Sequence, residues 1–164
     1  MRPHLRSADG GDGFAIRRLV LAVFVLGLLG TAADLLLIDH YEDAWQLPPL
    51  VLIGVALGMV AWVAASGARG AVLALRGTLL LFIVAGAAGI VLHFTGNAEF
   101  QREIDPSLSG WPLFLKVIRA KAPPALAPAS LVHLGLLGLA YTYKHPALTI
   151  GSRRVGSSSM EEQS

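Results

Sequence analysis

The sequence predicts an all-α integral membrane protein, a four-transmembrane-helix antiparallel bundle. Three observations predict it. Hydrophobic residues make up 54% of the 164 residues and charged residues only 15%, where a soluble domain carries about 25% charge. The mean hydropathy is +0.62. The apolar residues fall into four long blocks, and the polar residues collect in two tails and three connecting segments. A helix needs roughly 20 apolar residues to cross about 30 Å of hydrocarbon.

The first predicted helix covers 17–38, where Leu19–Ile38 is interrupted only by Thr31 and Asp34. Arg17 and Arg18 before an apolar run resemble a signal-peptide start. The run is too long for a signal h-region and ends in DLLLIDHYED without a small-x-small cleavage site, so it is read as a retained helix. Segment 39–48 follows as the first outer loop. The second helix covers 49–66. The stretch 66-SGARGAVLALR-76 is a short basic turn, and the third helix covers 74–95. Gly96 is a candidate breaker, after which 96–125 forms the second outer segment. Within it, Trp111–Arg119 has large apolar residues with Lys116 and Arg119 three apart, as expected of a short interfacial helix. The alternative is that 111–121 caps the bundle. Pro123, Pro124 and Pro128 lead into the fourth helix, 126–144, since Pro is tolerated at helix starts. The membrane domain is thus 17–145, between polar tails at 1–16 and 146–164 that need no folded structure.

Charge sets the predicted orientation. With both termini inside, Arg2, Arg6, Arg17, Arg18, Arg69, Arg76, Lys144, Arg153 and Arg154 are internal. Only Arg102, Lys116, Arg119 and Lys121 are external. Cytoplasmic flanks carry the Lys/Arg excess, so both termini are expected in the cytoplasm; the compact, Ala/Gly/Leu-rich form points to a bacterial inner membrane. The same bias accounts for the basic pI without a nucleic-acid partner. There are no cysteines, which excludes disulfides, thiolate chemistry, iron–sulfur clusters and c-type haem attachment. No Walker loop or GxGxxG is present, so no nucleotide is expected.

Small residues mark packing faces: Gly54 and Gly58 as a GxxxG pair, Ala85, Gly86 and Gly89, and Gly135 with Gly138. The simpler reading is packing within the chain. The alternative is a homo-oligomer or a larger partner. Tyr41, Trp45, Trp62, Trp111, Tyr141 and Tyr143 suit an aromatic belt. Lys144 and His145 suit the C-terminal end of the fourth helix, which Pro146 stops.

Polar groups gather on one side. The stretch VLHFTGNAEFQREIDP at 91–106 holds His93, Asn97, Glu99, Glu103 and Asp105. His40 stands in the first loop beside Asp39, Glu42 and Asp43. Asp34, His93 and His133 come from three helices at similar predicted depth. Ionisable groups within a membrane are expensive and usually face a bundle interior. Imidazole and carboxylate ligands suit a divalent metal, and two histidines on different helices could ligate a b-type haem. Local solvation and interhelical hydrogen bonds account for the same residues without a ligand. There is no HxxxH, HExxH or ExxH in the helices, no recognisable Ser–His arrangement and no internal repeat. The sequence therefore favours a non-enzymatic accessory or assembly subunit of a larger membrane complex, in contact with membrane lipid. The alternatives are an independent metal- or haem-binding protein using His93 and His133, and a small ion or solute transporter acting as an oligomer.

Overall fold

The structure, a computed structural model, describes residues 8–120 and 124–148, with side chains from Gly13 onward. Expectations resting on Arg2, Arg6, Lys121, Pro123, Arg153 and Arg154 lie outside the described residues. Helix α1 is Ala8–Leu37, α2 Leu47–Ser66, α3 Arg69–Ile104, α4 Gly110–Ile118 and α5 Ala129–Thr142, with a 3₁₀ turn at Ala44–Gln46 before α2. No strand occurs among the described residues. Three segments, Gly13–Leu37, Ala44–Ser66 and Arg69–Ile104, are long and apolar enough to cross a membrane. The chain reads as an integral membrane protein. Helix α5, with 14 residues, is apolar but shorter.

Each helix end has a local cause. The α1 terminus closes as a Schellman motif, with the His40 N–H donating to Leu35 O at 2.8 Å and the Asp39 N–H to Leu36 O at 3.3 Å. Asp39 takes the left-handed position at φ 54°. Asp tolerates that conformation better than most residues, and its carboxylate accepts a hydrogen bond from the Tyr41 hydroxyl at 2.9 Å. Pro48 and Pro49 occupy the first turn of α2, where a missing N–H leaves no helical bond unmade. Gly67 ends α2 at φ 59°, and its N–H donates to Val63 O. Only Gly67 and Ala68 separate α2 from α3. Asp105 is extended and precedes Pro106, and a residue before proline is pushed out of the helical region.

Two boundaries differ most from the sequence expectation, while α3 also starts at Arg69 rather than 74 and α5 covers only Ala129–Thr142 of 126–144. Helix α1 begins at Ala8 rather than 17, inside the segment expected to need no folded structure. Helix α3 does not stop near 95 but continues to Ile104, at about 54 Å overall from the 1.5 Å rise per residue. Gly96 costs a helix only about 1 kcal/mol relative to Ala. Immediately beyond it Ala98 is buried with Leu113, Val117 and Ala125, and Phe94 packs beside them. Helix α4 thus lies against the far half of α3. Phe114 bridges, with its ring 5.8 Å from Phe94 and 4.9 Å from Trp111.

The main core joins α1, α2, α3 and α5 through Phe24, Leu28, Ile53, Ala56, Leu75, Leu79, Phe82, Leu131 and Leu134. Large residues such as Leu26, Leu80, Leu81, Val84 and Val91 stay exposed on the outer surface, as a lipid-facing surface allows. Helix α5 packs chiefly on α3 and next on α1. The α3–α5 contact depends on missing side chains. A Cβ at Gly86 would lie 2.9 Å from both Pro128 O and Val132 N, and one at Gly135 would lie 2.8 Å from Leu79 O. Such backbone approach is how helices gain van der Waals contact in lipid.

Candidate functional site

A cavity of about 750 Å³ lies at the His93 end of the helices, between the start of α2, the face of α3 and the start of α5. Helix α3 supplies His93 and Asn97 one turn apart, with Gly89, Gly96 and Phe100 on the same face. This face exists because the helix persists through Gly96. The α1–α2 connection supplies His40, Asp43, Trp45 and Gln46. The Schellman turn at Asp39 delivers His40 to this position, and Gln46 is held by a hydrogen bond from the Asp43 N–H to its Oε1 at 3.3 Å. Helix α5 and its lead-in contribute Leu131 and Pro128.

The two imidazoles meet here. The His40 and His93 ring centroids are 6.5 Å apart, with planes tilted by 51°. His93 Nδ1 lies 3.2 Å from Pro124 O. A carbonyl only accepts, so the neutral ring carries its proton on Nδ1 and presents a lone pair at Nε2. His40 stands in the connection, outside the spans. Partial burial, and then the neighbouring His93, hold it below the ordinary histidine value of 6.5. Both effects disfavour the protonated form of His40.

The other sequence candidates are placed as follows. Asn97 is buried, at 5% exposure. Glu99 and Glu103 are exposed on α3. Asp105 accepts hydrogen bonds from the Ser107 N–H at 3.1 Å and the Ser107 hydroxyl at 2.6 Å. These bonds lower its carboxyl below the ordinary value. Asp34 and His133 are both exposed on their helices. Among the described residues, no three or more His, Asp or Glu side chains gather closely enough to hold a metal ion, so Asp34, His93 and His133 are not assembled into such a group. What the structure brings together is His93 with His40. Trp45, Gln46 and Phe100 were not singled out as site residues from the sequence. Their positions within one turn of Asp43 and Asn97 were the available signal.

The opposite end holds a second polar cluster. Arg17 donates to Tyr141 O at 3.3 Å and to Lys144 O at 3.1 Å. Arg76 donates to Thr142 Oγ1 at 3.2 Å and to Thr142 O at 2.8 Å. The C-terminal carbonyls of α5 are therefore met by arginines from α1 and α3. The sequence had pointed to Lys144 and His145 for that end. The His145 N–H also donates to Thr142 O at 3.2 Å and its ring stands edge-on to Tyr141 at 5.7 Å, while Lys144 takes φ 47°.

Compared with protein-family models, curated proteins and solved structures, the chain matches none.

Proposed function

We propose that this chain is a small accessory or assembly subunit of a larger membrane complex. In this reading it is a four-span antiparallel bundle in a bacterial inner membrane with both termini in the cytoplasm. The observation that carries the reading is on α2. A Cβ added at Gly54 or Gly58 would meet nothing within 4 Å, whereas Gly27, Gly86, Gly89, Gly135 and Gly138 all stand against neighbouring helices. The GxxxG face of α2 is not consumed within the chain. Small faces in lipid serve close helix approach, so this one suits a helix of another polypeptide.

The fourth span is α5 with its flanks. Its 14 residues reach only about 21 Å. Successive turn hydrogen bonds lead into it, including Ala127 N to Pro124 O and Leu131 N to Pro128 O. The nine-to-four division of basic residues between the two sides supports the orientation. Single cysteines at Ser107 and Ser157 test it with an impermeant thiol reagent on intact cells. Ser157 lies outside the described residues. Ser107 is expected to label and Ser157 to stay protected; labelling at Ser157 from outside defeats the orientation.

Purification in mild detergent tests the subunit reading. A stoichiometric membrane partner is expected to accompany the wild-type chain. Gly54→Ile with Gly58→Ile should release it while leaving helix content and thermal stability unchanged, because no intramolecular neighbour is disturbed. Ion or solute flux through the pure protein in liposomes would favour the transporter reading. Stoichiometric metal or a haem absorption band without a partner would favour independent metal or haem binding.

A further inference from the structure

We propose that the cavity between α2, α3 and α5 binds a neutral, lipid-soluble amphiphile with a hydroxyl-bearing ring head, of the quinol class. The head sits at His40 and His93, and the apolar tail runs along Ala85, Ala88 and Leu131. The inference rests on the membrane reading of the helices and not on the subunit assignment.

Size is the first consideration. About 750 Å³ falls within the roughly 300–1,000 Å³ typical of small-molecule sites. It exceeds what a bare ion or a water cluster needs. Shape is the second. Along α3 the lining runs from Asn97 and His93 down to Ala88 and Ala85, about 18 Å at 1.5 Å per residue. One end is polar and the other wholly apolar. A molecule matching that gradient has a compact polar head and an extended apolar tail.

Charge selects the head. The wall holds two imidazoles, the Asp43 carboxylate and the Gln46 and Asn97 amides, and it holds no Lys or Arg. A phosphate head would arrive without a cationic partner and face a carboxylate, which is unfavourable where burial weakens screening. A bare metal ion lacks ligands, since no group of three suitable side chains exists among the described residues. A neutral head avoids both penalties.

Hydrogen-bond direction narrows it further. The His93 Nδ1 proton is engaged by Pro124 O at 3.2 Å. Nε2 therefore accepts, and the matching ligand atom is an O–H donor. Gln46 Oε1 receives the Asp43 N–H, which turns the amide nitrogen into the remaining donor for a ligand oxygen. Asp43 can accept a second hydroxyl. Trp45 and Phe100 are 81% and 56% exposed, and both line the polar end. They provide aromatic faces for a ring. A ring bearing two hydroxyls satisfies donor, acceptor and stacking positions together.

The experiment uses the full chain in phosphatidylcholine nanodiscs, titrated with a short-chain benzoquinol. Binding is read by tryptophan fluorescence and independently by calorimetry. Saturable one-to-one binding is expected. Ala88→Leu and Gly96→Leu should each weaken it at least tenfold by filling the cavity. The side chain of Ala88 is exposed, and nothing lies within 4 Å of a Cβ at Gly96, so the core is left undisturbed. His93→Leu should also lose binding. His93→Gln should retain part of it, because a Gln can donate to Pro124 O and still accept. Equal, non-saturating quenching in wild type and Ala88→Leu is partition into lipid and overturns the proposal. Displacement by phosphatidylglycerol overturns the neutral head. Equal competition by an unringed isoprenoid alcohol overturns the ring. A purified protein that already carries a haem band lost in His93→Leu assigns the cavity to haem and overturns it as well.

Discussion

Gly86→Val should break the α3–α5 contact and cost the fold about 3 kcal/mol or more. A Cβ at this position would sit 2.7 Å from Val132 Cγ2 and 2.9 Å from both Pro128 O and Val132 N. A side-chain end can rotate away, but the two backbone atoms belong to the start of α5 and cannot move without moving the helix. Valine adds two further carbons on the same β position. Gly135→Val attacks the same interface from the other side, against Leu79 O at 2.8 Å. Each variant should unfold at much lower denaturant in mixed micelles, followed by circular dichroism. Gly54→Val is the control. It meets nothing within 4 Å and should stay within about 0.5 kcal/mol of wild type. Equal losses at Gly86 and Gly54 would mean that α3 and α5 do not approach as closely as described.

The same comparison shows what the sequence could and could not carry. Hydropathy alone located the apolar blocks that became the long helices, because the cost of unpaired backbone in lipid forces such runs into helix. It could not tell Gly54 and Gly58 from Gly86 and Gly89. Both pairs are small residues on apolar helices, and only the neighbour across the interface distinguishes them. The continuation of α3 through Gly96 was equally hidden. It depends on Ala98 being covered by Leu113 and Val117, a contact between segments with a loop between them. For the candidate site, depth was legible and direction was not. Each residue turns the side chain by about 100° around a helix axis. Asp34 and His133, near the expected depth of His93, could thus end exposed on their own helices. His40 met His93 through the left-handed turn at Asp39, which no periodicity reports.

Arg76→Leu should be the next most damaging change after those at the α3–α5 glycines, at about 2–3 kcal/mol. Its guanidinium reaches Thr142 twice, from Nε to Oγ1 at 3.2 Å and from a terminal nitrogen to the carbonyl at 2.8 Å. Thr142 is fully buried. Its hydroxyl already donates to Leu139 O at 3.0 Å, so its lone pair has use only for an external donor. The carbonyl lies at the C-terminal end of α5, where the helix dipole favours a cation. Leucine removes the cation and both donors, although His145 N still reaches the carbonyl at 3.2 Å. Arg76→Lys should recover only part of the loss, because an ammonium lacks the two-nitrogen fork. Arg17→Leu should cost less, since its contact to Lys144 O is exposed. A pH series separates this from simple loss of packing. His145 lies beyond the α5 terminus. Burial, then the charges of Arg17 and Arg76, lower it from 6.5. The unfolded chain therefore takes up the proton first, and wild-type stability should be full above about pH 6.5 and fall as the pH drops below it. Removing the Arg76 charge relieves part of the repulsion on protonated His145. The Arg76→Leu variant should start less stable at about pH 7.5 and lose less on acidification to about pH 5.5. Parallel pH curves for the two proteins would show that Arg76 does not act on His145 through its charge.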